Sequence, residues 1–91
     1  MGAVSEQLQR KLTEAFAPAR LTIDDDSARH AGHAGERRAG ESHFNVVIES
    51  AAFEGVSRVQ RQRMVYAAVA EELAGPVHAL SVKALAPDEA G

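Results

Sequence analysis

The chain has 91 residues, 45% of them hydrophobic and 25% charged, which suits a single domain over residues 1–91 with one modest core. It contains no cysteine, so disulfides, thiolate metal ligands and thiol nucleophiles are excluded. A formal net charge of −3 argues against strong nonspecific binding of nucleic acid, and the lack of a long apolar run or an apolar leader predicts a cytoplasmic protein without a membrane span.

One helix and two strands are predicted in the first half of the chain. Residues 4–16 repeat apolar side chains at helical spacing, and Pro18 ends that segment. Leu21 and Ile23 alternate with polar residues, as in a short strand. Residues 43–49, HFNVVIE, alternate in the same way and predict a second strand.

A long segment, residues 24–42, separates the two predicted strands and carries two histidines. It is about as long as the longest structureless connections in compact domains, so it is either functional or disordered. After the second strand, residues 51–56 should form a turn. In that turn Phe53 is expected to fill the core, while Gly55 permits a tight bend.

A long helix is predicted over residues 57–74. Ser57 can act as its N-cap, with Gln60 three residues later to complete a capping box. The helix should end before Gly75, which favours the left-handed conformation, and Pro76, which cannot continue the helix. The side expected to cover the core consists of Val59, Val65, Tyr66, Val69, Ala70 and Leu73.

The last predicted strand follows Pro76, where the period changes to two, and residues 86–91 should form a flexible tail. Because the strand alternates, His78 should open its apolar face. The other members of that face are Leu80, Val82 and Ala84. The order of elements predicts an α+β domain with a three-stranded mixed sheet, helices packed on one face, and the last two strands parallel.

Three stretches, DDDSARH, ESHFNVVIES and FEGVSRVQRQRMVYAAVAEELAGPVHALSVKALAPDE, together resemble BolA-like proteins over nearly the whole chain. The resemblance implies a fold similar to the class II KH domain, with the order α-β-β-α-α-β. It also implies a heterodimer with a monothiol glutaredoxin that shares a [2Fe–2S] cluster and glutathione, in cluster trafficking or in iron and redox sensing. Some bacterial members of the family are DNA-binding regulators of stress and morphology genes. Alone, the chain is expected to be a monomer or a weak homodimer.

Carried over to this chain, the resemblance makes His78 a cluster ligand and places a second ligand in the long loop. His30 matches the family's loop histidine, and His33 is close enough to substitute. This chain departs from the family in two places. Residues 61–63 read RQR where many members have Arg-His-Arg, and an Ala-Gly-rich insertion leaves the loop ligand open between the two histidines.

The chemistry of these residues is compatible with that assignment. Two histidines on one iron, opposite thiolates on the other, form a known cluster arrangement. This chain has imidazoles but no thiolates, so a composite site with a cysteine-bearing partner is expected. On the residues alone, a histidine such as His78 is more often structural, and His30 and His33 would be solvated loop residues. His43, next to Phe44, is expected to be structural or at the surface.

The alternative is a DNA-binding transcriptional regulator that uses Arg58, Arg61 and Arg63 at the start of the long helix. With Glu71 and Glu72 near its end, the helix reverses the usual preference for acidic residues at the amino end. Arg63 lies roughly 140–160° around the helix from the other two arginines, so they form no single stripe. The Gly-x-x-Gly clamp of KH domains is missing. No catalytic constellation stands out, and we expect no enzyme.

Overall fold

The computed structural model describes residues 2–25 and 43–90. No helix within these ranges is long and apolar enough to cross a membrane. The loop histidines His30 and His33 lie outside the described residues. The elements in order are α1 (Ala3–Phe16), β1 (Arg20–Asp25), β2 (His43–Glu49), a 3₁₀ turn (Ala51–Phe53), α2 (Arg58–Ala68), α3 (Ala70–Ala74), β3 (Ala79–Leu85) and α4 (Pro87–Ala90).

The three strands form one mixed sheet in the order β1, β2, β3. β1 pairs antiparallel with β2, and β2 pairs parallel with β3. The predicted α+β fold with its last two strands parallel is therefore confirmed. The predicted boundary of the long loop is wrong, because β1 includes Asp24 and Asp25, which pair with Asn45 and Phe44.

The core is built around the central strand, β2. Its alternate residues Phe44, Val46 and Ile48 are almost fully buried, as a period of two predicts. Phe53 is 0% exposed, and its ring lies 5.1 Å from that of Phe16, which confirms its predicted place in the core. The same core cluster also contains Leu8, Leu12, Val65, Val69 and Val77.

Ser50 joins the end of α1 to the turn that follows β2. Its hydroxyl donates to the carbonyl of Phe16 at 2.7 Å and accepts from the N–H of Ala52 at 3.1 Å. The side chain is almost fully buried, with 1% exposure. In the same turn Gly55 has φ +72°, which confirms the predicted need for glycine.

The helix predicted over residues 57–74 is divided at Val69 into α2 and α3. Its start is confirmed, because the hydroxyl of Ser57 accepts from the N–H of Gln60 at 3.2 Å. Val69 has φ −119° and ψ 30°, outside the helical region, and its side chain is buried. A β-branched residue loses side-chain freedom in a helix, so valine is a favourable place for the interruption.

The division changes how the charges relate to the helix ends. Glu71 and Glu72 now lie in the first turn of α3, where acidic residues are favoured. Lys11 of α1 contacts both, at 2.6 and 2.9 Å, and its hydrogen bond lowers the pKa of Glu71. α3 ends at Ala74 as predicted, but Gly75 has φ −115°, so its predicted left-handed conformation is wrong.

The buried face of the two helices also differs from the predicted one. Val65 is buried as predicted, whereas Val59 is 60% and Tyr66 36% exposed, and Ala70 is exposed. Arg61 is buried instead, with 6% exposure. A buried guanidinium needs hydrogen-bond acceptors, and Arg61 finds them along β3 and α4.

β3 is an edge strand whose outward carbonyls are covered by side chains from α2. An open edge is prone to pair with foreign strands, so this cover protects the sheet. It also explains the exposure of Tyr66, whose ring reaches over the edge rather than into the core. The donors and acceptors are Tyr66 Oη to Leu80 O (3.1 Å), Gln62 Nε2 to Val82 O (2.8 Å) and an Arg61 guanidinium N–H to Ala84 O (3.0 Å).

The prediction of a flexible tail over residues 86–91 is wrong as far as residue 90. Ala86 is 2% exposed, and Pro87–Ala90 forms α4. The carboxylate of Glu89 accepts two hydrogen bonds from Arg61, at 2.5 and 3.0 Å, and one from the N–H of Ala86 at 2.9 Å. These bonds hold the segment against α2 and β3.

Candidate functional site

Two histidines lie side by side at the amino end of the parallel strands. His43 is the first residue of β2, and His78 directly precedes β3. The register pairs His43 with Ala79, and the two imidazole rings stack with their centroids 6.3 Å apart and their planes 12° apart. Parallel pairing thus brings together two imidazoles that are distant in sequence.

The backbone before His78 is held against α3. Val77 is buried, with 3% exposure, and its N–H donates to the carbonyl of Glu72 at 2.9 Å. The side chain of His78 itself is exposed. The strand begins two residues later than predicted, at Ala79, so His78 lies in a bend and does not open the apolar face.

The predicted loop ligands belong to a segment whose ends can be located. His30 and His33 lie outside the described residues, but Asp25 and His43, which flank residues 26–42, both lie at one end of the sheet. This is the end that carries His78. The chain therefore leaves and re-enters the sheet beside the histidine that the resemblance identifies as a ligand.

His43, the neighbour of His78, was predicted from the sequence to be a structural or surface residue. It is half-buried and in ring contact with His78. The sequence did hold a signal for this contact. Histidines at the starts of two strands predicted to be parallel become neighbours when those strands begin in register.

The donor set of this chain is suited to part of a metal site. The sequence has no cysteine, and the residues described here contain no group of three or more His, Cys, Asp or Glu side chains that could hold a metal. Imidazole nitrogens suit one iron of a [2Fe–2S] cluster when thiolates hold the other iron. The residues therefore fit a cluster shared with a thiolate-bearing molecule, and they do not fit a self-contained one.

The three arginines of the alternative DNA-binding reading are not equivalent. Arg58 and Arg61 line a groove of about 460 Å³ between α2 and β3, together with Lys83. Arg63 is not among the residues that line it, and its guanidinium donates to the side chain of Gln60 at 3.2 Å. As the helical angles predict, the arginines do not share one surface.

The charge of Arg61 is matched by an acidic side chain from the end of the chain. The Arg61 guanidinium, assisted by the N–H of Ala86, lowers the pKa of Glu89 to about 2. In return, the hydrogen bond from Glu89 raises the pKa of Arg61. Sequence reasoning missed this pair because no local pattern links a short acidic segment to an arginine in a distant helix.

Known proteins are similar to this chain in both sequence and fold. The BolA-like protein family matches residues 12–89. Human BolA-like protein 1 is 45% identical over 87 residues, which are 96% of this chain and 61% of the human protein, so the chain spans about six tenths of that relative. The DNA-binding transcriptional regulator BolA of Escherichia coli is 43% identical over 79 residues, which are 87% of this chain and 71% of the relative.

A solved structure agrees with the architecture described above. The BolA domain of SufE1 from Arabidopsis thaliana is 39% identical, has a TM-score of 0.86 and covers 98% of each chain. The family match includes β2, β3 and the helices between them, the elements that place His78. By sequence and by fold, this chain belongs to the BolA-like protein family.

Proposed function

We propose that this chain is an adaptor that binds a monothiol glutaredoxin and contributes histidine ligands to a shared [2Fe–2S] cluster, with glutathione as a further component. Its role is cluster trafficking or iron and redox sensing in the cytoplasm. His78 is one ligand, and the second comes from the loop, with His30 preferred and His33 able to substitute. The supporting observation is an exposed imidazole on a fixed backbone, at the sheet end where residues 26–42 begin and end.

The two ligands from this chain differ in how they are positioned. The strands and the buried Val77 fix the backbone at His78, so this ligand loses little freedom on binding. The ring of His43 stacks beside it, with the two centroids 6.3 Å apart. For the loop ligand, we predict a larger cost in conformational entropy on binding. When bound, the cluster supplies a redox-active and transferable iron–sulfur unit.

The proposal is tested by visible absorption and circular dichroism after anaerobic mixing with cluster-loaded monothiol glutaredoxin. The isolated chain should take up no stable cluster, because it has no thiolates. The mixture should give a spectrum that differs from that of the glutaredoxin cluster alone. A stoichiometric [2Fe–2S] spectrum from the isolated chain would contradict the composite site.

Histidine variants separate the ligands. His78→Ala should abolish the mixed-ligand spectrum while leaving the fold intact, since the side chain is exposed. His30→Ala should give an altered and more labile cluster, and the double change with His33→Ala should resemble loss of His78. His43→Ala is the matched control, because it removes the adjacent imidazole without removing a proposed ligand. A wild-type spectrum in His78→Ala would remove the ligand assignment.

A second candidate function is transcriptional regulation through DNA, which the name of the E. coli relative favours. It would use Arg58, Arg61 and Arg63. The net charge of −3 weighs against it, and so does the position of Arg63 outside the groove that Arg58 and Arg61 line. Fluorescence anisotropy with promoter DNA across a salt series tests it, because phosphate contacts make affinity fall steeply with salt. No binding at low salt would contradict this function.

A further inference from the structure

The groove between α2 and β3, hereafter the α2–β3 groove, concentrates positive charge on an otherwise acidic chain. Its lining includes Arg58, Arg61 and Lys83, against one carboxylate, that of Glu89. Arg58 and Lys83 are exposed. The whole chain has a net charge of −3, so this grouping does not reflect the composition. A concave surface with an excess of one sign of charge attracts ligands of the opposite sign.

The guanidinium of Arg61 is a preformed receptor for an oxyanion. Its Nε–H donates to the carbonyl of Val56 at 2.8 Å, and another N–H donates to the carbonyl of Ala84 at 3.0 Å. These two backbone contacts orient the guanidinium without help from Glu89. Its two terminal nitrogens then donate to the two carboxylate oxygens of Glu89, at 2.5 and 3.0 Å. A phosphate accepts the same forked pair of bonds.

Glu89 is suited to being displaced from this receptor. It belongs to α4, a helix of only four residues, and its side chain is 43% exposed. Helices this short have little stability of their own. The carboxylate also carries one negative charge, against the three cations that line the groove. A phosphate brings more charge and more acceptor oxygens to the same cations.

We propose that the α2–β3 groove binds a small phosphate-bearing molecule of about mononucleotide size, whose phosphate replaces the Glu89 carboxylate on Arg61. Arg58 and Lys83 neutralise the remaining charge. The groove has a volume of about 460 Å³, which falls within the range of small-molecule sites and is larger than one carboxylate group occupies. Glu89 acts as an internal competitor that lowers the apparent affinity. His78 does not line the groove, so this site and the proposed cluster site succeed or fail separately.

The test is calorimetric and NMR titration of the whole chain with adenosine monophosphate. Glu89→Gln should bind at least about fivefold more tightly than the wild type, because it removes the competing charge. Arg58→Ala and Lys83→Met should each weaken binding by roughly two- to fivefold. Both positions are exposed, so neither variant threatens the fold as replacement of the buried Arg61 would. Arg10→Ala, an exposed cation on α1, is the matched control and should change nothing.

Two further arms identify the recognised group. Inorganic pyrophosphate should compete with the mononucleotide, since the phosphate is the part that Arg61 receives. Failure to compete, or equal affinity for the wild type and Glu89→Gln, would overturn the proposal. A short single-stranded oligonucleotide that bound at least about tenfold more tightly than the mononucleotide would overturn the small-molecule assignment in favour of nucleic acid. Chemical-shift changes confined to residues outside the groove would also refute it.

Discussion

Replacing Ser50 with alanine tests how the end of α1 is tied to the turn after β2. The hydroxyl of Ser50 donates to Phe16 O and accepts from Ala52 N, and the residue is 1% exposed. Each such hydrogen bond contributes about 0.5–1.5 kcal/mol net, so losing both should lower the free energy of unfolding by about 1–3 kcal/mol. For a chain of this length, each kcal/mol corresponds to a fall in Tm of about 4–8 °C.

The assay is thermal and urea unfolding followed by circular dichroism. Ser81→Ala provides the matched control, because Ser81 is exposed on β3 and the same atom is removed there. The control should stay within about 0.5 kcal/mol of the wild type. If Ser50→Ala were equally close to the wild type, the reasoning that this buried hydroxyl holds α1 to the turn would be refuted.

Two further changes test the start of α2 and the ion pair that holds α4. Ser57→Ala removes the acceptor for the N–H of Gln60 and should lower the free energy of unfolding in urea by about 1 kcal/mol; no change relative to Ser81→Ala would contradict the capping role. The pKa of Glu89 falls from an ordinary value of 4.5 to about 2, so its pairing with Arg61 stabilises the fold fully above pH 4.5 and is lost as the pH falls through 2. The gap in Tm between the wild type and Glu89→Gln should therefore be constant above about pH 5 and shrink below it, whereas a gap independent of pH down to 2 would exclude this linkage.

The sheet could be predicted from sequence because the apolar residues of one strand alternate regularly. In β2 the alternation of Phe44, Val46 and Ile48 fixes both the face and the bounds, and the strand runs over the predicted residues His43–Glu49. The parallel pairing with β3 followed from the intervening helix. Together these two inferences placed His78 at the correct end of the sheet.

The features that sequence reasoning missed depend on contacts between distant residues. Arg61 is buried because Val56, Ala84 and Glu89 supply acceptors that no helical pattern reveals. The same pair orders a tail whose composition suggested fraying. Tyr66 counted as a core residue by helical angle, but its hydroxyl finds an acceptor at the sheet edge. Periodicity records which residues are apolar, and it cannot record which polar groups find partners across the fold.

In the candidate cluster site, too, one feature could be found from a sequence motif and another only from contacts between distant residues. His78 was identified from a motif, whereas its contact with His43 follows from strand register and becomes visible only when two strands are considered together. His30 and His33, in contrast, stay predictions from the resemblance, because they lie outside the described residues. The His30→Ala and His33→Ala variants proposed above distinguish the two.

The cluster-ligand claim is tested most directly by detecting which protein supplies nitrogen to the iron. This chain would be produced with ¹⁵N-labelled histidine, combined with unlabelled glutaredoxin and glutathione, and the reduced complex examined by pulsed electron paramagnetic resonance. Histidine ligation from this chain predicts strong ¹⁵N hyperfine couplings that are lost in His78→Ala and retained in His43→Ala. A reduced cluster with no ¹⁵N coupling would contradict the claim.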